Sequence, residues 1–207
     1  LDDQSCGGAT TAHVTGPWKE LPPQVDALNR DTRLVTVTIG GNDLNYVGNL
    51  YMSACAPGKP MKVQGYSLPC TGPMLPGEAD YARVEQGLRR IAQEVRQRAP
   101  RARLVFVQYV TLVPERPCPA ANLPPQHAAP MRELGRRLAE ITARVAAENT
   151  ALGLASDSLS QGHSPCDAEP WAIGLPADRA SVQGAPWHPN AAGAAAIAEA
   201  LEALLAR

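Results

Sequence analysis

Apolar runs and helically spaced apolar positions alternate along this chain. Leu34-Val35-Thr36-Val37-Thr38-Ile39 is β-branched and apolar, ends in Gly40-Gly41, and reads as a buried parallel strand. Between Gly77 and Pro100 the residues Val84, Leu88, Ile91 and Val95 form one apolar face of a helix, with arginines on the other face and Pro100 as its stop. Arg103 to Val110 is a second buried strand. A helix starting near Pro130 follows, with Leu134, Leu138, Ile141 and Val145 at the same spacing, then a short, weak strand at Gly153-Leu154-Ala155. The last helix begins after Pro189-Asn190 and turns Ile197, Leu201, Leu204 and Leu205 inward. Strands alternating with helices predict an α/β fold with a parallel sheet covered on both faces. In such sheets ligands sit beyond the carboxyl ends of the strands. Residues 55–76 and 112–129 are rich in Pro and Gly and too long for plain connections, which points to functional or disulfide-braced loops.

Composition narrows the function classes. The 207 residues suit one domain, and the formal net charge of -1, with charges interspersed, argues against a nucleic-acid partner or an anionic membrane surface. No run of about eighteen apolar residues occurs, so stable membrane insertion is not expected. The opening Leu1-Asp2-Asp3-Gln4-Ser5-Cys6 has neither the basic nor the apolar region of a signal peptide, and it reads as the interior of a longer chain. The five cysteines (Cys6, Cys55, Cys70, Cys118, Cys166) include no Cys-x-x-Cys pair, and no two histidines stand at metal spacing. Disulfides in an oxidising compartment are therefore favoured over a metal site. Local closure favours Cys55–Cys70; Cys118–Cys166 can tie two loops together, leaving Cys6 either a buried free thiol or the partner of an upstream cysteine.

Candidate chemistry follows the first strand. Gly40-Gly41 allows a sharp turn, after which Asn42 can present a neutral amide donor suited to an oxyanion. The plainer alternative is an Asx-type turn capping a helix from about Leu44. In Trp187-His188-Pro189-Asn190 a histidine stands just before a helix, braced by a proline and an N-capping Asn, as a general base requires. His13 and His127 read as surface residues, and His163 as part of a disulfide loop. Ser5-Cys6-Gly7-Gly8-Ala9-Thr10-Thr11 is a glycine turn with backbone N–H groups to donate.

Together these segments resemble the SGNH (GDSL-like) hydrolases, in particular secreted actinobacterial esterases and lipases. The glycine block is matched by Cys6 to Thr11, with Gly8 as the donor; Gly-x-Asn-Asp by Gly40-Gly41-Asn42-Asp43; and the histidine block in part by Ala185-Pro186-Trp187-His188. The likeness runs from about Ser5 to Gly193. It implies a three-layer α/β/α sandwich of SGNH/flavodoxin-like type, a single domain over residues 1–207, and a secreted, extracellular protein acting on small-molecule or lipid esters without cofactor or metal. A monomer is expected. Three disulfides are usual in this branch, which fits Cys55–Cys70 and Cys118–Cys166 and predicts a disulfide-linked N-terminal segment on Cys6.

Two departures stand out. The block carrying the nucleophilic serine is absent, so the resemblance expects it upstream of residue 1, on a strand beside Leu34–Ile39. Ser158, in Ser156-Asp157-Ser158-Leu159, imitates that block but falls out of family order, and Ser5 is a weaker candidate still. The second departure is Ala185, which stands where the histidine's aspartate belongs. The Ala185 carbonyl is then expected to orient His188, with Asp178 as the alternative. The implied activity is carboxylic ester hydrolysis through a Ser–His dyad or triad. The competing expectation is an inactive, hydrolase-derived fragment or ligand-binding module.

Overall fold

The computed structural model describes residues 1–55, 58–63, 66–176 and 184–207. In chain order the elements are α1 (Thr11–Thr15), β1 (Leu34–Val37), α2 (Tyr46–Ala54), β2 (Met61–Val63), β3 (Tyr66–Leu68), α3 (Glu78–Arg98), β4 (Arg103–Val107), α4 (Pro125–Glu148), β5 (Leu152–Leu154), α5 (Ser156–Leu159) and α6 (Ala191–Leu205). Parallel strands alternating with flanking helices place the chain in the α/β/α class read from the sequence. By contact the residues fall into two compact units.

The first unit comprises Leu1–Leu44, Pro76–Gln108 and Arg137–Ala155. Its core is a parallel sheet in the order β1-β4-β5, with Leu34 opposite Arg103 and Val105 opposite Leu152. The central strand β4 is apolar throughout after Arg103 because both its edges and both its faces are covered; Val105 and Phe106 are wholly buried. β1 departs from the buried strand expected there. Among the described residues it pairs with β4 alone, and its own residues alternate between exposed and half-buried. Along its other edge runs a groove of about 670 Å³, lined in part by Asp3, Ser5, Val14, Val25, Ile91 and Val95. Among the described residues no strand pairs with that edge.

The helix between β1 and β4 behaves as its spacing predicts. Val84, Leu88, Ile91 and Val95 of α3 are buried, joined by Tyr81 and Ala92. The polar side of α3 meets residues Arg137–Glu148 of α4 through ion pairs. Arg137 grips Glu78 with two bonds of 2.7 Å, Arg144 meets Glu85 at 2.8 Å, and Arg89 meets Glu148 at 2.5 Å. Each pair spans 59 residues of sequence, the signature of two helices running parallel in constant register. Arg137 also lies 3.7 Å above the Tyr81 ring, a cation–π contact.

The second unit comprises Asn45–Leu75, Tyr109–Arg136 and Ser156–Arg207. The expected start of α4 at Pro130 is corrected here: the helix begins at Pro125, and Pro130 lies inside it. Pro125 takes the first helical position, where a missing N–H is harmless. The segment after α2 forms the β2–β3 hairpin, closed by the disulfide Cys55–Cys70. A second disulfide joins Cys118 to Cys166, and Cys6, in the first unit, has no disulfide partner among the described residues. Asn190 caps α6, its side-chain oxygen accepting the Gly193 N–H at 2.8 Å. The apolar face of α6 differs from expectation. Ile197, Leu201, Leu204 and Leu205 are half-buried rather than enclosed, and Gly193 is the helix's buried residue.

Candidate active site

In the first unit, two turns are bound into one structure. Gly40 follows β1 at φ +103, a conformation natural to glycine, and a Cβ there would stand 3.0 Å from Leu138 and 3.2 Å from Val84. This glycine lets the chain leave the sheet between α3 and α4. Asn42 comes next and is exposed; its Nδ2 donates to the Ala9 carbonyl at 2.9 Å. The α2 cap is Asn45, so the Asx-cap alternative for Asn42 is not what forms. Asp43 accepts the Thr11 N–H at 2.9 Å and the Thr11 hydroxyl at 2.6 Å, holding the start of α1. Between these anchors lies Gly8, exposed at φ +83. Among the described residues no acceptor meets its N–H. Two potential oxyanion donors, the Gly8 N–H and the second Asn42 amide hydrogen, are thus carried on one clamped turn.

In the second unit, His188 sits on a loop sewn to residues 170–173. Trp187 N–H donates to the Ile173 carbonyl at 2.7 Å, Ile173 N–H to the His188 carbonyl at 2.9 Å, and Asn190 N–H to the Trp171 carbonyl at 2.9 Å. The Asn190 amide adds a bond to the Pro170 carbonyl at 2.6 Å. His163 stacks on Trp171 with ring centroids 4.2 Å apart and donates through Nδ1 to the Glu169 carbonyl at 2.7 Å, so this histidine buttresses the loop's support.

The His188 ring has a main-chain partner, but not the expected one. Its Nδ1 lies 2.9 Å from the Pro186 carbonyl rather than the Ala185 carbonyl. A carbonyl only accepts, so the bond requires the hydrogen on Nδ1 and leaves the Nε2 lone pair free. The cause is Trp187. Its backbone is left-handed at φ +63, which folds the chain tightly enough to bring the carbonyl two residues back, not three, to the ring. A bulky aromatic in this region is strained, and the buried indole holds it there. Asp178, the alternative partner, lies outside the described residues.

The remaining histidines are engaged differently. His13 Nδ1 accepts the Thr10 N–H at 3.0 Å and the ring packs on Trp18 at 4.0 Å; His127 donates to the Ser53 carbonyl at 3.1 Å. Of the four, His188 is the exposed one. Ser158 lies exposed on the single-turn helix α5, whereas Ser160 is buried and donates to the Ser156 carbonyl at 2.6 Å.

A cleft of about 920 Å³ opens within the second unit, between Thr111–Cys118, the Ala129–Arg136 stretch of α4 and residues Asp157–Asp167. The Cys118–Cys166 disulfide ties its walls, and Arg132 holds the loop by donating to the Pro114 carbonyl at 2.8 Å. Of the two long loops expected to serve the site, the later one lines this cleft; none of the described residues in 55–76 does. Along its wall, burial pushes the Asp157 carboxyl above the ordinary aspartate range. Burial, and secondarily the Asp157 charge, drives the Tyr46 phenol far above its usual value. Tyr46 belongs to no motif, and the motifs that contain Asp157 and Trp187 gave neither a role of its own, because a buried tyrosine, a half-buried acid and a backbone angle leave no sequence pattern.

Comparison with known proteins agrees with the fold. The GDSL-like lipase/acylhydrolase profile matches residues 1–196. The chain is 32% identical over 209 residues to Lipase 2 of Streptomyces coelicolor, covering 96% of this chain and 69% of that protein. Its fold is similar to that of phospholipase A1 from Streptomyces albidoflavus (TM-score 0.72, 21% identity, 97% of this chain and 78% of that one). It is also similar to that of an extracellular lipase from Streptomyces rimosus (TM-score 0.68, 21% identity, 96% and 77%). Fold, turn pattern and sequence relationship converge: this chain belongs to the GDSL-like lipase/acylhydrolase family.

Proposed function

We propose that the protein is a secreted serine ester hydrolase in which His188 is the general base and the Gly8 N–H and Asn42 amide hold the oxyanion. The observation that carries this reading is the exposed His188 ring, its Nδ1 committed to the Pro186 carbonyl and its Nε2 left free. A serine Oγ attacks the ester carbonyl while Nε2 takes its proton. The tetrahedral oxyanion is held by Gly8 and Asn42, and the leaving alcohol takes the proton back from Nε2. Water, deprotonated by the same nitrogen, then releases the acid. A backbone carbonyl supplies orientation and partial charge stabilisation where the more usual acid is a carboxylate.

We place the nucleophile on a strand upstream of Leu1. One observation supports that placement: the open edge of β1 with its adjoining groove. The two compact units are read as parts of one domain, since the family profile runs through both without a break. The two disulfides support an oxidising compartment. Acyl esters, lipid esters among them, are the substrate class, and the name of the Streptomyces coelicolor relative points the same way.

The test is made on the complete protein with a p-nitrophenyl ester. Replacing His188 by Gln should lower kcat by about 10²- to 10⁴-fold while leaving the fold intact. Undiminished turnover would remove His188 from the mechanism. Fluorophosphonate labelling of Ser158 would move the nucleophile into the second unit, and no labelling at all would favour a binding module.

A further inference from the structure

Within the second unit, Met74 and Leu75 stand side by side and exposed, at 71% and 53% of their full accessibility. Among the described residues the other exposed large hydrophobics, such as Leu21 and Leu159, occur singly in the sequence. From Tyr66 to Gly77 the chain carries no Asp, Glu, Lys or Arg, although these make up 19% of the protein. The segment is also held in place. The Cys55–Cys70 disulfide ties its start to the end of α2. The Met74 N–H donates at 2.9 Å to the Asn49 side-chain oxygen, and Asn49 is wholly buried in α2. Pro73 and Pro76 bracket the pair and restrict the backbone further.

We propose that the Met74–Leu75 tip is a lipid-contacting anchor that seats the protein on the surface of a lipid aggregate. The choice of lipid as occupant rests on the ester-hydrolase reading above and on three physical points. Two side chains offer far less area than the roughly 1,200–2,000 Å² of a stable protein interface, which argues against a second copy or a protein partner. A lipid surface needs no matching shape, and the gain grows with each apolar group inserted. An uncharged segment enters without desolvating an ion, and a tip already fixed by Asn49 and the disulfide loses little further freedom on insertion.

The experiment is cosedimentation of the chain with phosphatidylcholine vesicles, which reads binding without any hydrolysis and so stands apart from the catalytic proposal. The wild type should cosediment to the same extent at low and high salt, because no charge pairing is involved. The double variant M74S/L75S, with an unchanged melting profile, should partition at least about tenfold more weakly. In a second arm, the emission of L75W, read as the difference from wild-type protein with its Trp18, Trp171 and Trp187, should shift to shorter wavelength on adding vesicles. Equal partition of wild type and double variant, absence of wild-type binding, or an unshifted L75W spectrum would each overturn the proposal. So would self-association abolished by M74S/L75S without vesicle binding, which would make the tip a contact between copies.

Discussion

The side-chain amide of Asn42 reaches the carbonyl oxygen of Ala9 at 2.9 Å, so the turn that ends β1 and the turn that carries Gly8 are one object. The bond uses one amide hydrogen and aims the other. Asn42→Ala should therefore lose an oxyanion donor and loosen the Gly8 turn together, lowering kcat by about 10²- to 10³-fold with KM little changed. Steady-state kinetics on a soluble ester read this directly. Unaltered kcat would return Asn42 to a purely structural role.

Asp43 acts beside it without touching substrate in the proposed mechanism. Its carboxylate accepts both the N–H and the hydroxyl of Thr11, 32 residues earlier in the chain. Asp43→Asn removes the charge and puts an N–H where an acceptor is needed. Urea unfolding should show a loss of about 1–3 kcal/mol, and Thr11→Val, which removes only the hydroxyl bond, should show a smaller one.

At Gly40 the prediction is steric. With φ +103 and Leu138 and Val84 at 3.0 and 3.2 Å from a built Cβ, Gly40→Ala combines backbone strain with crowding. A destabilisation of about 1–3 kcal/mol is expected from thermal or urea melts.

Asp157 supplies a pH signature. Burial disfavours its charged form, so its pKa in the folded chain lies above the unfolded value. Between the two values the native state holds a proton that the unfolded chain has released, and stability falls as pH rises through that window. Below the unfolded value the carboxyl is neutral in both states and imposes no penalty. Asp157→Asn should therefore melt like the wild type in acid and above it at neutral pH. A variant less stable at every pH would show that the carboxylate makes a favourable contact in the cleft.

Elements whose own residues fill the core were legible in the sequence. The α3 face Val84–Val95 and the centre of β4 needed only periodicity and apolar content. Edges were not, because the burial of β1 or α6 depends on what lies beside it, and no residue in the strand or helix states that. The start of α4 was hidden by Pro130, which looks like a first-turn proline, while Pro124 and Pro125 set the actual start. At the candidate site, Pro-Asn after His188 announced a histidine braced at a helix start. The identity of its acceptor depended on a left-handed Trp187, which side-chain type does not announce, since tryptophan seldom adopts that conformation.

A histidine oriented by an aspartate is one codon change away from losing its partner. At His188 the partner is a main-chain oxygen, which every amino acid at position 186 would bring with it. Substitution at 186 can alter the neighbourhood but cannot delete the acceptor. Fragility is transferred to position 187, where a residue that resists the left-handed turn would swing the carbonyl away while every polar side chain of the site stayed in place. This part of the site is heritable as a shape rather than as a letter. A search for it among relatives should compare backbone angles at the residue before the histidine, not the residue three places earlier.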